Sequence, residues 1–377
     1  MKKTIAFILF TLLASNSFAQ NLPNKKLNIR INKNVELLGL AYFIGFEGVD
    51  IETKTMDVRG KKMPKKDWHN YGYFIYEKYK KYAANESLLN GFTVADHLWL
   101  DYLIALLVQV DDFPNAKLTV AVPESYYINF SKKKNLAEAK ENTKIFLDAL
   151  NTFYTQINFN QYLLDSKTYY DTALEEVREG LPKTDFISTM EGFYKSSFDT
   201  YTLVPSLTIP KGMGFGVKYT SAGKSHVFNV FGALDFQTFQ NTSNLQMGFA
   251  NKQEIRELSV HEFGHSFVNR SVDKLPEKLI VDTEPLLEPI RQAMSNQGYN
   301  TWRACLYEHF TRAGEIMIAG KMGDTEGAKK LQNEYMQERH FNYIPIILIE
   351  LRKYESGQYK TYDEAVLAAM NAIAKQG

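Results

Sequence analysis

The sequence predicts an α+β protein that is mostly helical, with a small antiparallel sheet just before a helix that carries a His-Glu-x-x-His motif. Three observations lead to this fold class. Helical periodicity dominates the first half of the chain, Val-, Phe-, Thr- and Tyr-rich runs separated by turn residues follow, and helical periodicity then returns. No repeat or Pro/Gly/Ser-rich linker interrupts residues 20–377. We therefore expect one domain there, with room for two lobes around the motif helix.

Residues 1–19 have the pattern of a secretory signal peptide. A charged start precedes an apolar run over residues 5–13, and Ser17-Phe18-Ala19 forms a small-x-small cleavage site. The apolar run is well short of the roughly 20 residues that span a bilayer. The only cysteine, Cys305, is far from the cleavage junction, so the pattern is not that of a lipoprotein. We expect an exported, soluble protein, periplasmic or extracellular, without a membrane span.

The composition argues against binding to nucleic acid or to an anionic membrane surface, and it excludes an intramolecular disulfide. The 44 Lys and Arg residues balance 43 Asp and Glu residues, and removing Lys2 and Lys3 with the signal peptide leaves 42 against 43. Nucleic acid and anionic membrane surfaces require a basic patch, so neither is an expected partner. A single cysteine excludes an intramolecular disulfide. Cys305 lies in an apolar helical stretch and is expected to be buried.

The elements follow from periodicity and from their bounding residues. A short strand is predicted over residues 27–31, and helical patterns cover 67–86, 94–110 and 136–181. The sheet is predicted from three runs at 198–208, 212–219 and 226–234. Later helices are predicted over 253–269, 284–295, 302–320, 327–354 and 363–375. The last strand, 226–231, is a candidate edge strand, which can hold an extended peptide by main-chain hydrogen bonds.

The motif lies in the first helix after the sheet, where the sequence reads HEFGHSFVN from His261 to Asn269. His261 and His265 are four residues apart, so both project from one helical face and can reach one metal ion. Two imidazoles with a carboxylate suit one Zn²⁺ per chain and leave a position open for water. Glu262 lies beside the metal and can take a proton from the activated water. The same ligands also accept Mn, Co or Ni.

Two carboxylates are candidates for the third ligand. Glu284 follows His265 by 19 positions, the spacing found in many gluzincin peptidases. Against Glu284, the run from Val281 to Pro285 resembles a helix start, where an acidic residue is common for electrostatic reasons alone.

The other candidate is Glu308, well inside an otherwise apolar helix. A carboxylate in such a place needs a partner, and Arg312 lies one turn further on. Arg312 either forms an ordinary i,i+4 pair on a solvated face or orients Glu308 as a metal ligand requires.

The motif segment HEFGHSFVN, with YEHFTRA from Tyr307 to Ala313, resembles domain-of-unknown-function family number 4932. These are secreted bacterial proteins described as gluzincin-like zinc metallopeptidases. Weaker matches include Ala41-Tyr42-Phe43 and Ser196-Ser197-Phe198. The resemblance implies a zincin-like fold, His261 and His265 as ligands, Glu262 as the base and Glu308 as the third ligand, in preference to Glu284.

A hydrolase also needs a donor near the metal to stabilise the tetrahedral intermediate. Six residues after the motif have suitable side chains, and the sequence does not choose among Arg312, His309, Tyr299, Tyr335, His340 and Tyr343.

We expect a secreted zinc metallopeptidase that acts on a peptide or protein substrate. The alternatives are a secreted or envelope binding protein that keeps the fold without catalysis, and a zinc hydrolase that acts on non-peptide bonds. The aromatic content of 14% is expected to fill the core, and it also suggests apolar side-chain pockets for the substrate. The sequence does not assign an oligomeric state.

Overall fold

The computed structural model describes residues 24–58, 60–182 and 184–376. The predicted signal peptide at 1–19 lies outside these ranges. Within them, no helix is both long and apolar enough to cross a bilayer. The strands are Leu27–Ile29 (β1), Thr55–Val58 (β2), Lys61–Pro64 (β3), Thr200–Pro205 (β4), Gly214–Ser221 (β5) and Lys224–Phe231 (β6).

Helices account for most of the remaining regular structure, and several short 3₁₀ and π segments extend them. The α-helices are Lys33–Tyr42 (α1), Lys65–Trp68 (α2), Asn70–Tyr79 (α3), Glu86–Ala95 (α4), Leu100–Leu107 (α5), Leu136–Gln156 (α6), Phe159–Asp165 (α7), Lys167–Gly180 (α8), Phe186–Tyr194 (α9), Lys252–Asp273 (α10), Glu277–Thr283 (α11), Arg291–Ser295 (α12), Trp302–Lys321 (α13), Thr325–Asn333 (α14), Ile344–Glu355 (α15) and Tyr362–Ala374 (α16).

The sheet before the motif helix is mixed, which corrects the prediction of an antiparallel sheet. Its strand order is β1-β4-β6-β5. Strand β4 runs parallel to both β1 and β6, and only the β5–β6 pair is antiparallel. Strands β2 and β3, which the sequence analysis missed, form a separate antiparallel hairpin. The buried run from Val227 to Phe231 is typical of a strand paired on both sides.

The predicted edge strand was also wrong. Strand β6 is paired with β4 on one side and β5 on the other, so β6 is internal, and β5 and β1 are the two edges of this sheet. Helix α5 packs against β5, and the Tyr126 hydroxyl donates a hydrogen bond to the Lys218 carbonyl. In contrast to these covered parts of β5, the segment from Gly214 to Gly216 lines an open cleft.

Long helical patterns in the sequence correspond to several shorter helices. The pattern over 136–181 divides into α6, α7 and α8, and the first break falls at Asn158, whose φ of +51° is left-handed. Asn tolerates this conformation better than most residues because its short polar side chain bonds locally. The pattern over 94–110 likewise breaks before Leu100.

Two long helices hold the motif and the predicted third ligand. Asn251 caps α10 by accepting a hydrogen bond from the Glu254 backbone N–H, and Thr301 caps α13 in the same way through Ala304. Helix α10 packs between the sheet and α13. Most of α13 is buried, Cys305 completely, as the sequence predicted. This burial places three charged residues of α13, Glu308, Arg312 and Glu315, inside the protein.

Candidate metal centre

His261 and His265 project from one face of α10 toward α13. Their ring centroids are 4.7 Å apart and their ring planes are nearly perpendicular, at 88°. The two Nε2 atoms lie 3.1 Å from each other. One helical turn therefore aims both imidazoles at a single point between the two helices.

Glu308, from the middle of α13, supplies a carboxylate at the same point. Its Oε1 lies 3.2 Å from His265 Nε2, and its Oε2 lies 3.6 Å from His261 Nε2. One possible ligand atom from each residue lies within 4.8 Å of the other two. The two helices approach closely here, since a Cβ on Gly264 would lie only 3.2 Å from Thr311 Cγ2. A glycine inside the motif therefore helps Glu308 to reach the histidines.

The separation of these atoms fits a tetrahedral metal ion. With metal–ligand bonds of about 2.0–2.1 Å, neighbouring ligand atoms of a tetrahedron are about 3.3 Å apart. The two Nε2 atoms are 3.1 Å apart, and each lies 3.2 or 3.6 Å from its nearer Glu308 oxygen, which is Oε1 for His265 and Oε2 for His261; these separations are close to that value. Two imidazoles and one carboxylate also form a donor set that divalent transition metals accept. These three residues can thus hold a metal ion.

The outer ring nitrogens face acceptors, which favours one tautomer for each histidine. His261 Nδ1 lies 3.0 Å from Oε1 of buried Glu315, at ion-pair distance but without the alignment of a hydrogen bond. His265 Nδ1 lies 3.2 Å from Asn269 Oδ1. With their protons on Nδ1, both Nε2 atoms present lone pairs beside the Glu308 carboxylate. Three acceptors that face one another are stabilised by a cation between them.

Arg312 orients the Glu308 carboxylate. Its Nη2 donates to Glu308 Oε2 at 3.0 Å and to the Tyr299 hydroxyl at 3.4 Å. The guanidinium carbon lies 4.8 Å from the Tyr335 ring centroid and 4.7 Å from that of Phe341. Burial opposes ionisation of Glu308, but the positive charges of Arg312 and the histidines hold its pKa well below its usual range. At neutral pH, Glu308 is therefore an ionised carboxylate.

The same charges act on the histidines. Burial alone lowers the pKa of His265, but its hydrogen bond to Glu308 and the Glu308 charge together raise that pKa to about 9. The cluster therefore attracts positive charge at neutral pH, as a proton or as a metal ion that displaces it.

Glu262 lies beside the cluster and against the edge strand β5. A Cβ on Gly214 would lie 3.3 Å from Glu262 Oε1. A Cβ on Gly216 would lie 3.0 Å from Glu262 Oε2 and 2.5 Å from its backbone oxygen. A larger residue at Gly216 therefore requires the strand or the helix to move. These glycines bring the β5 backbone next to the Glu262 carboxylate.

A cleft of about 1020 Å³ opens onto the cluster. His261, Glu262, His265 and Glu308 all line it, together with the β5 segment from Gly214 to Gly216. The side chains contributed by α1, α4, α5, α6 and the connections between them are mostly apolar, and include Leu38, Tyr42, Phe46, Phe92, Leu98, Trp99, Leu103 and Phe146. Trp99 is 78% exposed. The candidate metal centre thus lies in a cleft with one polar and one apolar wall.

A comparison with protein families matches residues 27–365 to one family model, Domain of unknown function (DUF4932). The match covers most of the chain. The chain belongs to the DUF4932 family. No curated protein and no solved structure matches it. The predicted family is therefore confirmed.

The two candidate third ligands lie in different environments in this DUF4932 chain. Glu308 is in the cluster and only 7% exposed. Glu284 is exposed at the junction of α11 with a following 3₁₀ segment, and it is not in the cluster. The sequence from Val281 to Pro285, which resembles a helix start, does precede a helical segment: the 3₁₀ segment begins at Glu284, and Pro285 is in its first turn. The packing of α13 on α10 thus brings Glu308, and not Glu284, into the cluster with the histidines.

Of the six candidate donors, Tyr299 lines the cleft within the part of the chain that the structure describes. Arg312 donates a hydrogen bond to Glu308 Oε2, and the Tyr335 ring packs against the Arg312 guanidinium. His309 Nδ1 lies 2.7 Å from the Cys305 carbonyl oxygen, and burial lowers the pKa of His309 to about 4. The other two are elsewhere: His340 is exposed, and the Tyr343 hydroxyl donates to the Leu286 carbonyl.

The sequence analysis missed three contributors to the site. Glu315 and Thr311 contact the outer nitrogens of the two histidines, and Gly216 admits β5 against Glu262. One signal was available for Glu315, because it follows Glu308 by seven residues, or two turns, on the same face of an apolar helix. Nothing local to Gly216 indicates its role, since the close contact is with another element.

Proposed function

We propose that this protein is a zinc-dependent metallopeptidase with a zincin-like fold. The observation that carries the proposal is the convergence of His261, His265 and Glu308 on one point, with Glu262 beside them in the cleft. Three protein ligands leave one coordination position of a tetrahedral ion for water, as in catalytic zinc sites. Zinc held by these residues would lower the pKa of that water and polarise the carbonyl of the scissile amide.

Glu262 is the group that moves the proton. Its carboxylate accepts a proton from the water as the water oxygen bonds to the amide carbon. The same proton passes to the amide nitrogen as the C–N bond breaks, so Glu262 acts first as a base and then as an acid. Water and an amide become a carboxylic acid and an amine, with no other reactant. The position of Glu262 between α10 and the β5 glycines supports this role.

Tyr299 is the side chain that we assign to the developing oxyanion. It lines the cleft, and its hydroxyl lies 3.4 Å from Arg312 Nη2. Burial and the charge of Glu308 raise the pKa of Tyr299 above its usual value. At neutral pH the phenol therefore keeps its proton, and it can donate a hydrogen bond to an oxygen that gains negative charge.

The walls of the cleft favour an extended peptide with a bulky apolar side chain. Main-chain groups of β5 between Gly214 and Gly216 border the cleft next to Glu262. An extended peptide can pair with such an edge through backbone hydrogen bonds. The apolar wall includes Phe46, which is 41% exposed, and Trp99. With the sequence pattern of residues 1–19, we further propose that this peptide is met outside the cytoplasm.

The test is hydrolysis of a mixed peptide library by the zinc-loaded mature chain, residues 20–377. Wild type should cleave next to bulky apolar residues. Glu262→Gln should bind zinc normally and lose at least about 100-fold in rate, as expected for a missing general base. Glu257→Gln, on the same helix but outside the cluster, is the matched control and should keep wild-type activity.

Each other outcome points to a different function. Failure to bind any metal would exclude both zinc hydrolase hypotheses. Zinc binding with turnover of an ester or phosphodiester but of no peptide would indicate a hydrolase of non-peptide bonds. Zinc binding without any turnover would favour a secreted binding protein that has kept the metal site.

A further inference from the structure

A second cavity, of about 220 Å³, lies against a different face of α10 from the metal centre. It is bordered by the C-terminal half of α10, by β5, by the segment after α9 and by the start of α16. Its charged lining residues are Lys195, Lys218, Arg270, Lys274, Lys360 and Asp363. At about 30 Å³ for each water molecule, it has room for about seven waters.

Positive charge dominates this cavity. Five of its lining residues are Lys or Arg, and Asp363 is the single acidic residue among them. Asp363 is already engaged, because it forms an ion pair with Lys274 and accepts a hydrogen bond from Ser271 Oγ at 2.6 Å. The whole chain is nearly neutral, with 44 basic and 43 acidic residues. The excess of cations here is therefore local and not a general property of the surface.

Of these five cations, only Lys274 has a carboxylate partner at ion-pair distance among the described residues, so Lys218 and Arg270, like Lys195 and Lys360, have none. Lys218 is partly buried: its Nζ lies 4.7 Å from the Phe198 ring centroid and 3.5 Å from the Ser266 carbonyl oxygen. Burial and the nearby charge of Arg270 lower the pKa of Lys218. Two neighbouring cations, one of them partly desolvated, repel each other unless an anion lies between them.

The surrounding groups suit an anion with several oxygen atoms. Ser196, Ser266 and Thr361 are hydroxyl-bearing residues of the lining. Lys195 is held in place, since its Nζ donates to the Lys360 carbonyl at 3.1 Å and lies 4.6 Å from the Tyr354 ring centroid. Hydroxyl and cationic donors around one cavity are the usual partners of phosphate and carboxylate oxygens.

We propose that this cavity binds a small oxyanion, a phosphate or a carboxylate group, between Lys218 and Arg270. The bound group would accept hydrogen bonds from both cations and from the hydroxyls of the lining. The proposal does not depend on the metallopeptidase activity, because its residues are distinct from the metal ligands and its ligand needs no metal.

The test is isothermal titration of the full mature chain with inorganic phosphate and, separately, with N-acetylglutamate amide. We expect saturable binding at one site per chain, weakened by added potassium chloride because both partners are charged. Running each titration with and without a chelator separates this site from the metal centre. Binding of phosphate alone would identify a free anion as the ligand, and binding of the carboxylate alone would identify an acidic side chain.

The decisive variant is Lys218→Met with Arg270→Gln, which removes both charges but keeps the length of the lysine chain over Phe198. Its affinity should fall at least about 10-fold, as expected when charge-assisted hydrogen bonds are lost. The matched control is Lys144→Met with Arg352→Gln, which removes two exposed charges elsewhere and should bind as wild type. Arg270→Gln alone, at an exposed position, provides a second variant if the double variant unfolds. Absence of saturable binding by wild type, or equal affinity in the folded variants, would overturn the proposal.

Discussion

Nδ1 of His261 and Oε1 of Glu315 lie 3.0 Å apart, so α13 contacts both the metal-facing and the outer side of the histidine pair. Glu308 faces the Nε2 atoms, and Glu315, two turns further on, faces the outer nitrogen of His261. Burial opposes ionisation of Glu315, but the charge of His261 lowers the pKa of Glu315 below its usual value. One helix therefore supplies both a candidate ligand and a carboxylate at ion-pair distance from another.

The first prediction concerns the third ligand. The wild-type chain should hold one zinc per chain by elemental analysis, and Glu308→Ala should lose it because two imidazoles remain alone. Glu284→Ala, which changes an exposed residue outside the cluster, should retain it. Zinc should also raise the thermal midpoint of unfolding of wild type, since only the folded state assembles the site. Loss of zinc in Glu284→Ala alone would refute the assignment of Glu308.

The second prediction separates Glu315 from an ordinary buried carboxylate. Glu315→Gln keeps the size of the side chain but removes the charge opposite His261 Nδ1, so zinc affinity should fall about 10–100-fold. Competition with a chromophoric chelator measures this affinity. Glu350→Gln, which changes a buried carboxylate paired with Lys353 on α15, should leave affinity unchanged. Equal affinities in the two variants would show that Glu315 does not position the histidine.

The third prediction tests the contact between β5 and Glu262. In Gly216→Ala the new methyl group would lie 2.5 Å from the Glu262 backbone oxygen, so strand and helix must separate. We expect a loss of about 1–3 kcal/mol in the free energy of unfolding, as for other overpacked sites. In Gly192→Ala, on α9, the methyl group meets no atom within 4 Å, and the change should be neutral or slightly stabilising. Urea unfolding of the metal-free variants measures both; unchanged stability of Gly216→Ala would contradict the contact.

The fourth prediction concerns pH and a buried carboxylate remote from the metal ligands. Burial raises the pKa of Glu36 from 4.5 to about 7, and the Tyr170 hydroxyl donates to Glu36 Oε2 at 2.8 Å. Because the folded state binds this proton more tightly, Glu36 contributes stability below pH 4.5 that is lost as the pH rises to 7. This shift corresponds to about 3 kcal/mol.

The measurement is the urea unfolding free energy of Glu36→Gln and wild type at pH 4 and pH 8. The glutamine cannot ionise, so the variant should gain stability relative to wild type as the pH rises across this range. Glu326→Gln, at an exposed position, should follow wild type throughout. A constant difference between Glu36→Gln and wild type at both pH values would show that Glu36 has an ordinary pKa.

The sequence by itself determined the features that depend on neighbours along one helix. Four-residue spacing puts His261 and His265 on one face because an α-helix turns once in 3.6 residues, and periodicity marked both α10 and α13. It also predicted the burial of Cys305, because an apolar stretch of that kind needs a core to pack into.

Only the tertiary structure decided the features that depend on contacts between elements. Glu308, and not Glu284, is in the cluster with the histidines because α13 packs across α10 at Gly264, although Glu284 has the more familiar spacing. Strand β5, and not β6, lies at an edge beside the motif helix because β4 pairs in parallel with β6, a long-range pairing that residue alternation does not encode. Glu315 meets His261 for the same reason: the free energy that sets these positions comes from packing between distant segments of the chain.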